Sequence, residues 1–400
     1  MADATTDAAA DAAADAVTDW CDGTLVQPGG PGPWVGQVLP GIAGVVGADV
    51  PGAAQAHEVL GLPFADRACI VLVDGLGHAN LAERAGHAPF LRSLLAGSTP
   101  LTTTFPSTTA TALGSFGTGL RPGETGLLGY TVRDPGTGRL GTTVSWTDLP
   151  DPEVWQPAPS VPERMVAAGV AVTSVGPRRF EGSGLTRAAL RGPAYRGADS
   201  PDDRVAAVVD ALRRPGVAYL YWGDVDKTGH KSGWGSWQWG DALAGVDASL
   251  GVLARRLPRG TVLAITADHG MVDHDPSQRW DATTDPVLSR DVELVAGEPR
   301  ALHVHLRPGT RADEVRDRWR DRLGDAAVVV TREQAVADGW FGPVVREQMA
   351  PVIGDLVVAM RGRATVVDSR TQTAESIALV GVHGSLTPTE MMVPWLVALT

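Results

Sequence analysis

Asp268 and His269 stand side by side where the apolar run Thr261-Val-Leu-Ala-Ile-Thr-Ala267 stops. A carboxylate and an imidazole at the end of a buried run cost free energy unless something pairs with them. The plain reading is an Asp capping a helix beside a surface His. The chemical reading is a pair of metal ligands. Side chains alternate along a strand, so the two could even serve different ions on opposite faces. Three other apolar runs end in similar residues. Arg67–Val73 leads into Asp74-Gly75, and Val217–Trp222 leads toward Asp226 and His230. Leu101–Phe105 leads into Pro106-Ser107-Thr108-Thr109. One helical turn would bring Asp226 and His230 together.

These segments must meet for the chemistry to exist. In an open parallel sheet the carboxyl ends of the strands share one edge, and ligands bind in the crevice there. Asp74, Asp226, Asp268, His230, His269 and a Thr hydroxyl would then line that edge. His383, in Gly381-Val-His-Gly384, supplies a third imidazole. Mixed nitrogen and oxygen ligands suit Zn²⁺ better than Mn²⁺. Six ligands and a hydroxyl exceed one tetrahedral ion and match two, set roughly 4 Å apart as in two-metal sites. A Thr hydroxyl in the first turn of a helix sits among unpaired backbone N–H groups, a natural seat for an anion.

Composition bounds the partners. The chain has 400 residues, 44% hydrophobic, with a formal net charge of -12. That balance argues against wrapping nucleic acid, and does not oppose a small anion held by metals. Cys21 and Cys69 make no disulfide framework. No run of about eighteen apolar residues suggests a membrane span. Met1–Asp19 is Ala/Asp-rich without a basic start, so residues 1–20 read as a loose tail of a cytoplasmic chain.

The elements that would position the site follow from periodicity. Residues 20–66, rich in Gly and Pro, read as an irregular lead-in. A helix is expected over His78–Ala96 and another over Thr108–Phe116, with residues 120–160 loop-rich. Further helices are expected over Pro162–Ala168, Asp202–Arg213 and Ser236–Leu257, with a strand at Val170–Val175. Strands at Leu302–Leu306, Ala326–Thr331 and Leu356–Met360 accompany a charged helix at Ala312–Leu323. This suggests a subdomain over residues 273–370, inserted between two parts of a core, 21–272 and 371–400. His303 and His305 alternate on one strand face and read as ordinary strand residues. The fold class is α/β.

In order, Val-Asp74-Gly, Pro-Ser-Thr-Thr-Ala-Thr running to Gly117-Thr-Gly119, Asp226-x-x-x-His230, Ala-Asp268-His269-Gly-Met and His383-Gly form a specific set. The chain resembles the alkaline phosphatase superfamily, within it the nucleotide pyrophosphatase/phosphodiesterase branch. The resemblance runs from about Ile70 to Met271 and resumes at His383. It implies a sandwich around a central, mostly parallel sheet, two zinc ions and a small phosphate-ester substrate such as a nucleotide. It implies that Asp74, Asp268, His269 and the nucleophilic Thr hold one ion, and Asp226, His230 and His383 the other. The family nucleophile stands nine residues before the Thr of Thr-Gly, which from Thr118 is Thr109. Thr108 and Thr104 are the alternatives. The implied reaction is two-step phosphoryl transfer through a phospho-threonine.

One departure concerns substrate. Where the branch often carries an Asn donor to phosphate, this chain has Tyr130. Its hydroxyl also donates but reaches further. No superfamily monoesterase Arg is identifiable, and the Cys/Ser-x-Pro-x-Arg motif of sulfatases is absent. A phosphonoacetate-type hydrolase, a monoesterase or a phosphomutase is the second enzymatic reading, and an inactive ligand-binding relative the third. Among Trp222, Trp234, Trp237 and Trp239, Trp234 lies in a Gly-rich loop and is the candidate for stacking on a base.

Overall fold

The computed structural model describes residues 23–30 and 32–400. The expected N-terminal tail, residues 1–20, lies outside them. Five elements carry the site: β1 (Arg67–Val73), α1 (Thr109–Thr118), β2 (Gly216–Trp222), α2 (Asp224–Ser232) and β3 (Thr261–Thr266). β1, β2 and β3 are near-continuous apolar runs because the sheet is covered on both faces.

The central sheet has six strands. Its order is Leu396–Leu399, β3, β1, β2, Val172–Gly176 and Ala194–Gly197. All pairings are parallel except that of the edge strand Leu396–Leu399 with β3. Val73 pairs with Trp222, and Leu72 with Thr266. This register brings the chain segments after β1, β2 and β3 to one edge, as ligand sites in such sheets require.

A second, antiparallel six-stranded sheet stands beside it. Its order is Ala327–Thr331, Leu356–Met360, Ala301–Leu306, Val292–Glu298, Thr131–Arg133 and Leu140–Thr142. The last two strands fall in the stretch expected to be loop-rich. A separate apolar cluster, including Leu302, Val304, Trp319 and Val358, packs the Ala312–Leu323 helix on this sheet.

Other differences from expectation have local causes. The lead-in over residues 20–66 contains helices Val38–Val45 and Ala53–Val59. The apolar Val38–Val45 is buried throughout between β1 and Ala53–Val59, so packing overrides weak propensity. The helix expected over His78–Ala96 is broken into His78–Glu83, a 3-10 turn at Ala85–His87 and Pro89–Leu95. Pro89 forbids helical geometry at Ala88, whose φ and ψ are -132° and 66°. The strand expected over Leu101–Phe105 is only Leu101–Thr102. No described helix is long and apolar enough to cross a membrane.

Candidate metal centre and active site

β1 delivers Asp74, whose backbone N–H bonds to the Trp222 carbonyl at 2.9 Å. Gly75 then turns with φ 72°, and its N–H donates to Asp268 Oδ1 at 3.1 Å. A Cβ at Gly75 would stand 2.9 Å from Asp226 Cβ. Here a glycine is required twice, for the left-handed backbone and for the close approach of a second carboxylate. β3 ends at Thr266, so strand alternation does not apply to Asp268 and His269. They do not diverge to opposite faces; both side chains turn toward Asp74. His269 Nε2 is 3.5 Å from Asp74 Oδ1 and 3.5 Å from Asp268 Oδ2.

α2 places Asp226 and His230 one turn apart, His230 Nε2 lying 3.3 Å from Asp226 Oδ1. His383 arrives from the segment after the second sheet. Its ring stacks on that of His269 at 3.6 Å, and its Nε2 is 3.9 Å from Asp226 Oδ1. The six predicted ligands therefore converge.

The nucleophile candidates separate by exposure and bonding. Thr109 is the one residue between Thr103 and Thr118 that is not buried. Its Oγ1 lies 3.2 Å from His269 Nε2 and 3.5 Å from Asp74 Oδ1. Thr104 spends its hydroxyl on the Pro106 carbonyl at 3.0 Å. Thr108 is the buried cap of α1, and Thr109 opens its first turn.

The hydrogen bonding of the imidazoles shows what this arrangement lacks. Nδ1 of His269, His230 and His383 faces the carbonyls of Gly270, Gly381 and Ser107 at 3.0, 2.8 and 3.0 Å. A carbonyl only accepts, so each Nδ1 donates to it and each Nε2 is turned toward the carboxylates. Each Nε2 lies between 3.3 and 3.9 Å from a carboxylate oxygen. Asp226 Oδ1 and Asp268 Oδ2 are buried and have no hydrogen-bond partner. Burial, then the charges of Asp268 and Asp226, push the Asp74 carboxyl well above the usual range. Burial, then His269 and His230, push the His383 imidazole well below its usual value. Such a set fits divalent cations held by Nε2 and carboxylate oxygens, with Nδ1 oriented by the backbone. Ligand atoms of Asp74, Asp268 and His269 lie within 4.8 Å of one another, as do those of Asp226, His269 and His383.

Two supporting residues were not found from sequence. Tyr221 donates its hydroxyl to Asp74 Oδ2. Burial and the charge of Asp74 hold that phenol well above its usual pKa, so it stays a donor. Asn80, fully buried, bonds both to the N–H and to the carbonyl of Met271, each at 3.1 Å. It pins the Asp268–Met271 turn. A lone Tyr near a strand end and a lone Asn in a helix carry no signal without the partners.

A cavity of about 540 Å³ opens over the ligands. Asp74, Thr109, Asp226, His230 and His383 line it together with Tyr130, Thr131, Glu298 and Gln372. No Lys or Arg is among its lining residues. Tyr130 is on the wall with its side chain exposed, while its N–H donates to Glu298 Oε2 at 3.0 Å. Trp234 is not brought to this cavity. Its ring packs edge-on to Trp239 at 6.4 Å, and its backbone N–H donates to Asp273 Oδ1 at 2.8 Å. Trp222 and Trp239 are buried in the core.

The model of the type I phosphodiesterase / nucleotide pyrophosphatase family matches residues 68–386, which hold every ligand candidate from Asp74 to His383. The chain belongs to that family. Among solved structures, murine ectonucleotide pyrophosphatase/phosphodiesterase 5 superposes with TM-score 0.67 at 19% identity, covering 82% of this chain and 87% of that one. An inactive form of the same murine protein is in complex with AMP and gives TM-score 0.66 at 18% identity over the same shares. Phosphonoacetate hydrolase from Sinorhizobium meliloti 1021, in complex with phosphonoformate, gives TM-score 0.65 at 22% identity, covering 84% and 90%. At these identities the likeness is one of fold. A phosphopentomutase of Anaeromyxobacter dehalogenans (strain 2CP-C) is 34% identical over 151 residues, 36% of this chain. The match spans about a third, 36%, of that relative's length.

Proposed function

We propose that this family member is a two-metal phosphodiesterase acting through Thr109. The observation that carries the reading is the convergence of three imidazole Nε2 atoms and two unpartnered carboxylate oxygens beside the Thr109 hydroxyl. Asp74, Asp268, His269 and Thr109 would hold one ion, and Asp226, His230 and His383 the other, with zinc favoured by the nitrogen and oxygen donors. Once bound, two divalent ions supply positive charge that lowers the pKa of the Thr109 hydroxyl and offsets charge on the departing oxygen.

The chain's own residues do the rest. Thr109 gives its hydroxyl proton to solvent and its Oγ attacks phosphorus; a Thr109–phosphate ester forms as the P–O bond to the alcohol breaks, and the departing alcoholate takes a proton from solvent. Water then breaks that ester and restores the hydroxyl. The first-turn N–H groups of α1 stabilise the phosphoryl oxygens. Tyr221 holds Asp74 in place throughout. The lack of a Lys or Arg on the cavity wall favours a singly charged diester over a doubly charged monoester. Residues 273–370 are read as a cap that contributes Glu298 and Pro299 to the cavity lining.

The test uses purified protein with its metal content measured. Hydrolysis of bis-p-nitrophenyl phosphate should exceed that of p-nitrophenyl phosphate and vanish with a chelator. Thr109→Ala should retain metal and lose at least about a thousandfold in kcat, as removal of a nucleophile does. Full activity in that variant would move the nucleophile elsewhere. A faster monoester would favour the phosphonoacetate-type or phosphomutase reading. Metal-free protein that hydrolyses neither ester would leave a binding protein.

A further inference from the structure

Glu298 stands at the tip of the Val292–Glu298 strand and lines the cavity that the candidate ligands open into. Only 7% of the residue is exposed. Oε2 accepts the Tyr130 N–H, while Oε1 is buried without a hydrogen-bond partner. The stem lies against Gly384, where a Cβ would meet Glu298 Cγ at 2.7 Å. The absence of a side chain beside His383 thus makes room for this carboxyl. It is not a member of either metal-binding group. No Lys or Arg lines the cavity to pair with it. Burial pushes the group up to about 8, against the pull of the Thr108 hydroxyl and the Tyr130 amide. A buried carboxylate with an unmade bond is costly, and proteins retain one where a ligand completes it.

We propose that Glu298 is the specificity-determining residue of a subsite that accepts an ammonium group on the alcohol moiety of the diester. This rests on the diesterase reading above. Metal ions would be the counter-charge of Asp74, Asp226 and Asp268, and no described Lys or Arg lining the cavity offers one to Glu298. An ammonium supplies both the missing charge and the missing donor to Oε1. Hydroxyls at Thr131, Thr142 and Thr371 give the cavity lining further polar contacts.

The test compares two esters that share the nitrophenolate leaving group and the charge at phosphorus. They are p-nitrophenyl 2-aminoethyl phosphate and its near-isostere p-nitrophenyl propyl phosphate. Metal-loaded protein should show at least tenfold higher kcat/KM for the aminoethyl ester. In Glu298→Gln and in Glu298→Met that ratio should fall to near one, with metal content and Tm recorded for each. A ratio near one in the unmodified protein would overturn the subsite, as would a ratio that survives both substitutions. So would equal preference for the 2-hydroxyethyl ester, since charge would then not be read. Failure to cleave any of these diesters would instead overturn the diesterase reading.

Discussion

A single hydroxyl shows how much a neighbour matters in this site. Tyr221 has no metal-binding atom in the proposed set, yet its O–H fixes one oxygen of Asp74 and leaves the other toward Thr109 and His269. Groups that orient ligands in this way are worth about 10–100-fold in metal affinity or activity. Tyr221→Phe is therefore expected to fold normally and lose about that factor in one or both. Metal titration followed by kinetics at saturating metal separates the two effects. A variant with unchanged affinity and unchanged kcat would remove Tyr221 from the site.

At the scale of elements, the strand Ala301–Leu306 buries His303 and His305 on the same face. His303 has partners, the Leu128 carbonyl at 2.7 Å and the Gly354 N–H at 3.3 Å. His305 has none for either ring nitrogen. Burial lowers His303 to about 4, and burial with neighbouring His303, Arg133 and Arg332 lowers His305 to about 3. Both values lie below the unfolded value of about 6.5. The fold therefore favours the neutral rings, and the unfolded chain binds more protons below pH 6.5. Stability from this source is complete above about pH 6.5 and is lost as pH falls toward 4 and then 3. His305→Leu should flatten that acid limb. It should also raise stability by about 1–3 kcal/mol, because two unsatisfied polar atoms leave the core. Urea unfolding at pH 7 and pH 5 measures both. The strand itself was legible in the sequence, and so was the shared face of the two histidines. That one is bonded and the other orphaned depends on Leu128 and Gly354, distant in sequence.

For the whole molecule, the two sheets are tied at Arg300 and Glu390. Both side chains are fully buried, with Arg300 Nη2 2.7 Å from Glu390 Oε2 and Nε 2.8 Å from Oε1. Glu390 also accepts the Ser385 N–H at 3.0 Å and the Thr387 hydroxyl at 2.6 Å. This network anchors the segment that carries His383, although Arg300 lies on the second sheet's hairpin. Arg300→Met would leave the Glu390 charge buried and unpaired, at a cost of about 3–5 kcal/mol. Replacing both partners with apolar residues should recover most of that loss. A double variant no more stable than Arg300→Met would refute the pairing argument. Chemical denaturation of the three variants decides it.

The candidate acidic and imidazole ligands and the strands β1, β2 and β3 could be read from residue types and spacing, whereas Thr109 was singled out through the family resemblance. A buried apolar run ending in Asp-Gly or Asp-His already has the physical cost that demands a partner. Much of the rest required the fold. β1, β2 and β3 are far apart in the chain, and only their parallel register brings their ends together. Nothing local marks residues 131–142 as a hairpin at the margin of a second sheet, because that hairpin joins the sheet where Thr131 pairs with Gly297. Tyr221, Asn80 and Glu298 are ordinary letters until the residues they meet are placed beside them. Trp234 shows the converse: a loop position that looks free in the sequence is taken by Trp239 and Asp273. Local chemistry is written in neighbouring residues, whereas hydrogen-bond partnership and cavity walls arise between segments that only tertiary packing brings within reach.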